Sequence, residues 1–153
     1  MPEIVLDSVA EKLGEALEQM AFISVFPLAE APQTPPDPIL VTVEFDGPVR
    51  GHLDLLTGKA LGTAMAANML ASSPEDPIVD QQAHDALREL LNVTCGGLLS
   101  DWIAQMGGTF QMQIPTTRSI TPLEWQQVFA DGDFSVFDAD GQIAAVRLVK
   151  SNS

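Results

Sequence analysis

The sequence predicts the α/β class of the α+β type, with a single antiparallel-dominated sheet and helices packed on one face. Three observations predict it. Ile39, Val41, Val43 and Phe45 recur at period two with Thr42, Glu44 and Asp46 between them, the pattern of a strand with one buried face. Asp46-Gly47 and Asp140-Gly141 are hairpin-turn dipeptides, and a hairpin joins antiparallel neighbours. The element order is helix, two or three strands, two helices, three strands, which lacks the regular alternation of a parallel doubly wound sheet.

Each element has a local cause. Ile4, Leu6, Val9, Leu13, Ala16, Leu17 and Met20 fall near helical spacing, so an amphipathic helix opens the chain over Ile4 to Met20. Ser8 and Glu11 would form a capping box if that helix started late. The apolar run Phe22 to Phe26 leads into Pro27, Pro32, Pro35, Pro36 and Pro38, a stretch suited to a surface loop because proline neither continues a helix nor joins a central strand. Ile39 to Asp46 and Val49 to Leu56 read as a hairpin. Thr57 to Leu70 reads as a helix whose Gly58, Ala60, Gly62, Ala64, Ala66 and Ala67 allow close backbone approach. Ser72, Ser73, Pro74, Asp76 and Pro77 break it, and a longer helix runs from about Val79 to Gln105 until Gly107-Gly108 stops it. Phe110, Met112 and Ile114 alternate in a further strand ended by Pro115. Thr121-Pro122-Leu123-Glu124 has the residues of a capped helical turn, and Phe134 to Phe137 and Gln142 to Val149 read as closing strands.

Composition narrows the function classes. With 153 residues, 46% of them hydrophobic, the chain fits one domain, 1–153, with a core of its own. Seven Lys plus Arg against 21 Asp plus Glu give a net charge of -14, a surface that repels phosphate backbones and anionic lipid, so neither nucleic acid nor membrane is an expected partner. The lone Cys95 cannot form an internal disulfide, and no apolar run behind a basic start suggests a signal peptide, which points to the cytoplasm. His52 and His84 lack zinc-type spacing and read as surface or sheet residues. No glycine-rich phosphate loop, GxSxG elbow or His-Glu-x-x-His is present, so common nucleotide, hydrolase and metalloprotease readings have no support.

The informative segment is the long helix. At about 100° per residue, Asp85, Glu89, Asn92 and Gly96 fall within an arc of roughly 60°. Ala83, Leu87, Leu90, Thr94 and Leu98 lie on the other side, so burying them turns the polar ridge outward. A Glu and an Asn on a solvent face usually do nothing but stay wet. Asn, however, is a mediocre helix former, and Gly96-Gly97 in mid-helix cost about 1 kcal/mol each relative to alanine, a noticeable share of a domain's stability. Close approach of another backbone would account for them; so would a helix that ended at Cys95.

Asp85-x-x-x-Glu89-x-x-Asn92-x-x-x-Gly96 resembles the helix motif of the CheC/CheX/FliY chemotaxis phosphatases, closest to CheX. Its flanks are similar too: Gly51-His52-Leu53-Asp54-Leu55 before the helix Lys59 to Leu70, and Phe110-Gln111-Met112-Gln113-Ile114-Pro115-Thr116 after the motif helix. The likeness spans about residues 45–120, with a looser match at Leu17-Glu18-Gln19-Met20. It implies a CheC-like fold and hydrolysis of the aspartyl-phosphate of a CheY-type response regulator, with Glu89 and Asn92 catalytic and Asp85 and Gly96 binding the partner. No cofactor of its own is implied, because Mg²⁺ sits in the phosphorylated regulator; a homodimer is implied as for CheX-type relatives. Gly97 stands where family members commonly carry a second Asn, a departure that bears on partner affinity rather than chemistry. Two-site members carry a second motif on the first helix, where Asp7, Glu11 and Gly14 keep the spacing but lack the amide, so that helix reads as structural. Two alternatives stand beside the phosphatase: a non-catalytic regulator-binding or assembly module of the same fold, and a small metabolic enzyme using Asp85 or Glu89 as general base, which has no nucleophile signal behind it.

Overall fold

The computed structural model describes residues 6–30 and 32–151. In chain order the elements are α1 (Leu6–Ala21), β1 (Val25–Pro27), β2 (Pro38–Asp46), β3 (Gly51–Gly58), α2 (Lys59–Leu70), α3 (Pro77–Met106), β4 (Gln111–Met112), β5 (Thr116–Ser119), α4 (Pro122–Ala130), β6 (Ser135–Ala139) and β7 (Gln142–Lys150). Seven strands form one sheet in the order β1-β6-β7-β3-β2-β4, with β5 also on β2, and every pairing is antiparallel. The antiparallel sheet expected from the alternation is therefore present. Ile4 lies outside the described residues, and Ser8 falls inside α1 rather than at its cap.

The pleat divides the core in two. Ile39, Val41, Val43 and Phe45 of β2, with Leu53 and Leu55 of β3, point to the face covered by α1, α2 and α3, and all six are buried. The close approach expected of the small residues in α2 is realised at Gly62, where a Cβ would stand 2.5 Å from the Ala83 carbonyl oxygen of α3. On the other face Leu40, Leu56, Ala145 and Val136 lie side by side in register across four strands. Trp125 of α4 covers that row. The Thr121-Pro122-Leu123-Glu124 signal thus opens a nine-residue helix rather than a brief turn, with both capping-box hydrogen bonds made. Its amphipathic character was hidden because one buried tryptophan does most of the packing.

Beside that apolar row the same face carries an ionic cluster built around one buried aspartate. Asp54 of β3 is 4% exposed. It accepts from Thr42 Oγ1 at 2.7 Å and from Arg147 Nε at 2.8 Å, and His52 Nε2 stands 3.2 Å away. The Arg147 guanidinium also lies 4.8 Å over the Phe134 ring. Thr42, Asp54 and Arg147 are register partners on β2, β3 and β7, so the cluster clamps three neighbouring strands.

Several boundaries moved for identifiable reasons. Four residues, Gly47 to Arg50, join β2 to β3 instead of a two-residue turn, and Asp46 Oδ1 accepts from Gly47 N and pairs with Arg50. Asp140 and Gly141 both have positive φ, as the expected tight turn requires. Pro38 does enter a central strand, but at its first position, where the missing N–H costs no ladder bond. Of the strand expected over Phe110 to Ile114 only β4, Gln111–Met112, forms, and β5 is a further strand that the alternation did not predict. Pro115 does not end the pairing: β5 resumes directly after it against Thr42 to Ile39.

Candidate functional site

Helix α3 carries the site because its ends and its buried face are fixed. The Asp76 side chain caps the start by accepting from Ile78 N, and Pro77, read from sequence as a breaker, takes the first helical position, where a proline needs no N–H. Gly107 and Gly108, both at positive φ, end the helix after thirty residues. It runs unbroken through Gly96-Gly97, so the alternative of an end at Cys95 does not hold. Ala83, Leu87, Leu90, Thr94 and Leu98 are buried, and the ridge turns outward as the spacing requires: Asp85 and Glu89 are exposed, Asn92 and Gly96 half-buried.

A second wall rises opposite this ridge. Met112 at the end of β4, with Gln113, Ile114 and Pro115 between β4 and β5, faces Asp85, Glu89, Asn92 and Gly96 across an open cleft of about 730 Å³. Three aromatic rings hold the wall to the helix. Phe45 meets Trp102 edge-on at 5.5 Å, and Phe110 lies 6.4 Å from Phe45 and 5.9 Å from Trp102. Beyond the cleft Gln113 N donates to Glu44 O at 2.8 Å, and His84 Nδ1 is 2.5 Å from Thr117 Oγ1, which ties α3 to β5. Burial, then the nearby Lys59 and Arg88 charges, hold His84 below its ordinary pKa, so it is neutral at neutral pH.

All four residues singled out from sequence thus line one cleft. Sequence reasoning missed Arg88, which pairs with Asp85 one turn on and lines the same cleft. The i,i+3 spacing of opposite charges was its available signal. It also missed Ile114 as a site residue: counted among the alternating strand positions, it is 87% exposed at the rim. Among the described residues, neither the Glu89 carboxylate nor the Asn92 carboxamide is occupied by another side chain.

The two mid-helix glycines differ. A Cβ on Gly96 would meet nothing within 4 Å, so no packing inside the chain explains that glycine. One on Gly97 would make ordinary contact with Lys12 Cδ at 3.5 Å, because Gly97 faces α1. On α1 itself, a Cβ at Gly14 would stand 2.8 Å from Val25 Cγ2, which gives that glycine a packing role, while the Asp7 side chain lies outside the described residues. Burial raises the Cys95 thiol to about 12, leaving it unreactive. Among the described residues no group of three or more His, Cys, Asp or Glu side chains is arranged to hold a metal, and no helix is long and apolar enough to cross a membrane.

The all-antiparallel sheet with a long helix presenting a Glu/Asn ridge defines a CheC-like fold, and solved structures share it. A chain of the CheX-CheY-BeF3-Mg²⁺ complex from Borrelia burgdorferi superposes with a TM-score of 0.69 at 14% identity, covering 96% of this chain and 97% of that one. Chemotaxis protein CheX from Vibrio vulnificus gives 0.70 at 18% identity over 97% and 100%. A CheC-like superfamily protein from Shewanella sp. PV-4 gives 0.69 at 20% over 96% and 97%. No curated protein sequence is significantly similar to this chain. The family model described as chemotaxis phosphatase CheX matches residues 39–136, and the chain belongs to that family.

Proposed function

We propose that this protein dephosphorylates the aspartyl-phosphate of a CheY-type response regulator, docking the regulator over α3 and placing an attacking water with Asn92. The observation that carries the reading is the outward pair Glu89 and Asn92 lining one open cleft of about 730 Å³. Membership of the CheX family and the likeness to a complex that contains CheY, BeF3 and Mg²⁺ support the choice of partner.

The chemistry asks little of this chain. In the regulator, Mg²⁺ already neutralises the phosphoryl oxygens, so the remaining task is position. The Asn92 carboxamide oxygen accepts from the water while its nitrogen donates, which fixes the water in line. The water oxygen bonds to phosphorus as the P–O bond to the aspartate breaks. The electron pair returns to the carboxylate, and the water's protons leave with inorganic phosphate. Glu89, one turn away, pairs with a lysine of the regulator and holds the docked geometry. Asp85, braced by Arg88, extends the docking edge, and Gly96 lets the partner approach the helix backbone.

The test is phosphate release from a panel of purified phosphorylated CheY-type regulators, with binding followed in parallel on beryllofluoride-loaded regulator. Glu89→Ala is expected to weaken binding about 10-fold and to lower turnover as well. Wild-type protein that binds but never accelerates release would select a sequestering module, a reading that the absent amide at Gly97 favours.

Gly96 and Gly97 separate stability from docking. Gly96→Ala and Gly97→Ala should each stabilise the helix by about 1 kcal/mol, since neither added methyl clashes. Only Gly96→Ala is expected to reduce phosphatase efficiency several-fold. Thermal melts and phosphate-release rates on the two variants check both halves; equal activity in the two would remove the role assigned to Gly96.

A further inference from the structure

The ridge on α3 has an apolar shoulder on each side. On one side stands Ile114, 87% exposed in the main cleft, between β4 and β5, which both pair with β2. On the other, a groove of about 240 Å³ between α2 and α3 is lined by Met69 and Leu70, 43% and 45% exposed. Asp85 and Glu89 line both hollows, so the two are one surface divided by the carboxylate ridge. Three large apolar side chains left in water around a polar centre forgo the stabilisation of burial, and a partner that covers them also excludes water from the carboxylates between them.

We propose that Ile114 on one flank and Met69 with Leu70 on the other form a two-sided apolar dock that seats the phosphorylated regulator astride α3 and sets partner affinity. The inference rests on the phosphatase reading and names what selects the partner at that site. The occupant is the face of the regulator that carries its phosphoryl group, because Asp85 and Glu89 line both hollows and the main one also holds Asn92.

Ile114→Ser and Met69→Gln test the two flanks separately, and both sites are exposed enough for melting temperatures to stay close to wild type. With phosphorylated regulator as substrate, each is expected to raise KM about 10-fold while kcat at saturation stays within twofold, and to weaken binding of beryllofluoride-loaded regulator equally. If either variant keeps wild-type KM and affinity, or loses kcat at unchanged KM, the two-sided dock is overturned. Should wild-type protein not accelerate phosphate release at all, the phosphatase reading fails. The binding arm then still decides the dock, since affinity lost in both variants upholds it and unchanged affinity in either overturns it.

Discussion

Asn92→Ala is expected to lower the dephosphorylation rate roughly 100-fold while leaving affinity for the phosphorylated regulator nearly unchanged. A factor of 100 corresponds to about 3 kcal/mol of transition-state stabilisation, the size expected for one preorganised hydrogen-bonding group aimed at the reacting water. The effect should fall on kcat because Asn92 is assigned to the water and not to the dock. Its half-buried position on the helix leaves room for alanine, so folding should be unaffected. Single-turnover phosphate release with saturating regulator isolates the chemical step, and full activity in Asn92→Ala would refute the mechanism. Asn92→Asp offers a sharper comparison: it keeps the shape but replaces the donor with a charge, and should fail nearly as badly.

Asp54→Ala is expected to destabilise the fold by about 3 kcal/mol, because it leaves the largely buried Arg147 guanidinium, its side chain 12% exposed, without its main partner. In a chain of this length that is a fall of about 10 °C in melting temperature. Burial pushes the Asp54 carboxyl up, but the hydrogen bonds from His52, Thr42 and Arg147 together outweigh burial and hold it below the ordinary aspartate value of 3.8. A depressed folded-state pKa stabilises fully above the unfolded value and is lost as the pH falls through the folded one. Wild-type protein should therefore lose stability below about pH 4. The Asp54→Ala variant should lack that part of the acid loss. Denaturant melts of both proteins from pH 3 to pH 7 measure it, and parallel curves would show that the clamp contributes nothing to acid sensitivity. The cluster lies on the sheet face away from α3, so catalysis by the folded variant should be unchanged.

The sequence alone determined the antiparallel sheet, the three helices on one face and the ridge of Asp85, Glu89, Asn92 and Gly96, because each of these follows from the period of side chains along a single segment. Strand alternation at Ile39 to Asp46 and the helical arc on α3 are local geometry, and a neighbour is not needed to compute them. What lay across from the ridge could not be read in this way. Ile114 alternates correctly with Phe110 and Met112 and so counts as a core residue by period. It is exposed because β4 and β5 attach to β2 on either side of Pro115, and only those pairings lift it to the rim. Likewise Met69 and Leu70 line a groove with Asp85 and Glu89 only because Gly62 lets α2 lie against α3. Asp54 reads as one polar residue in a strand until the register brings Thr42 and Arg147 beside it from 12 and 93 residues away. Tertiary structure decided these features because each is a contact between segments, whose free energy appears only once the register and helix spacing are fixed, whereas periodicity records only which face of its own segment a residue occupies.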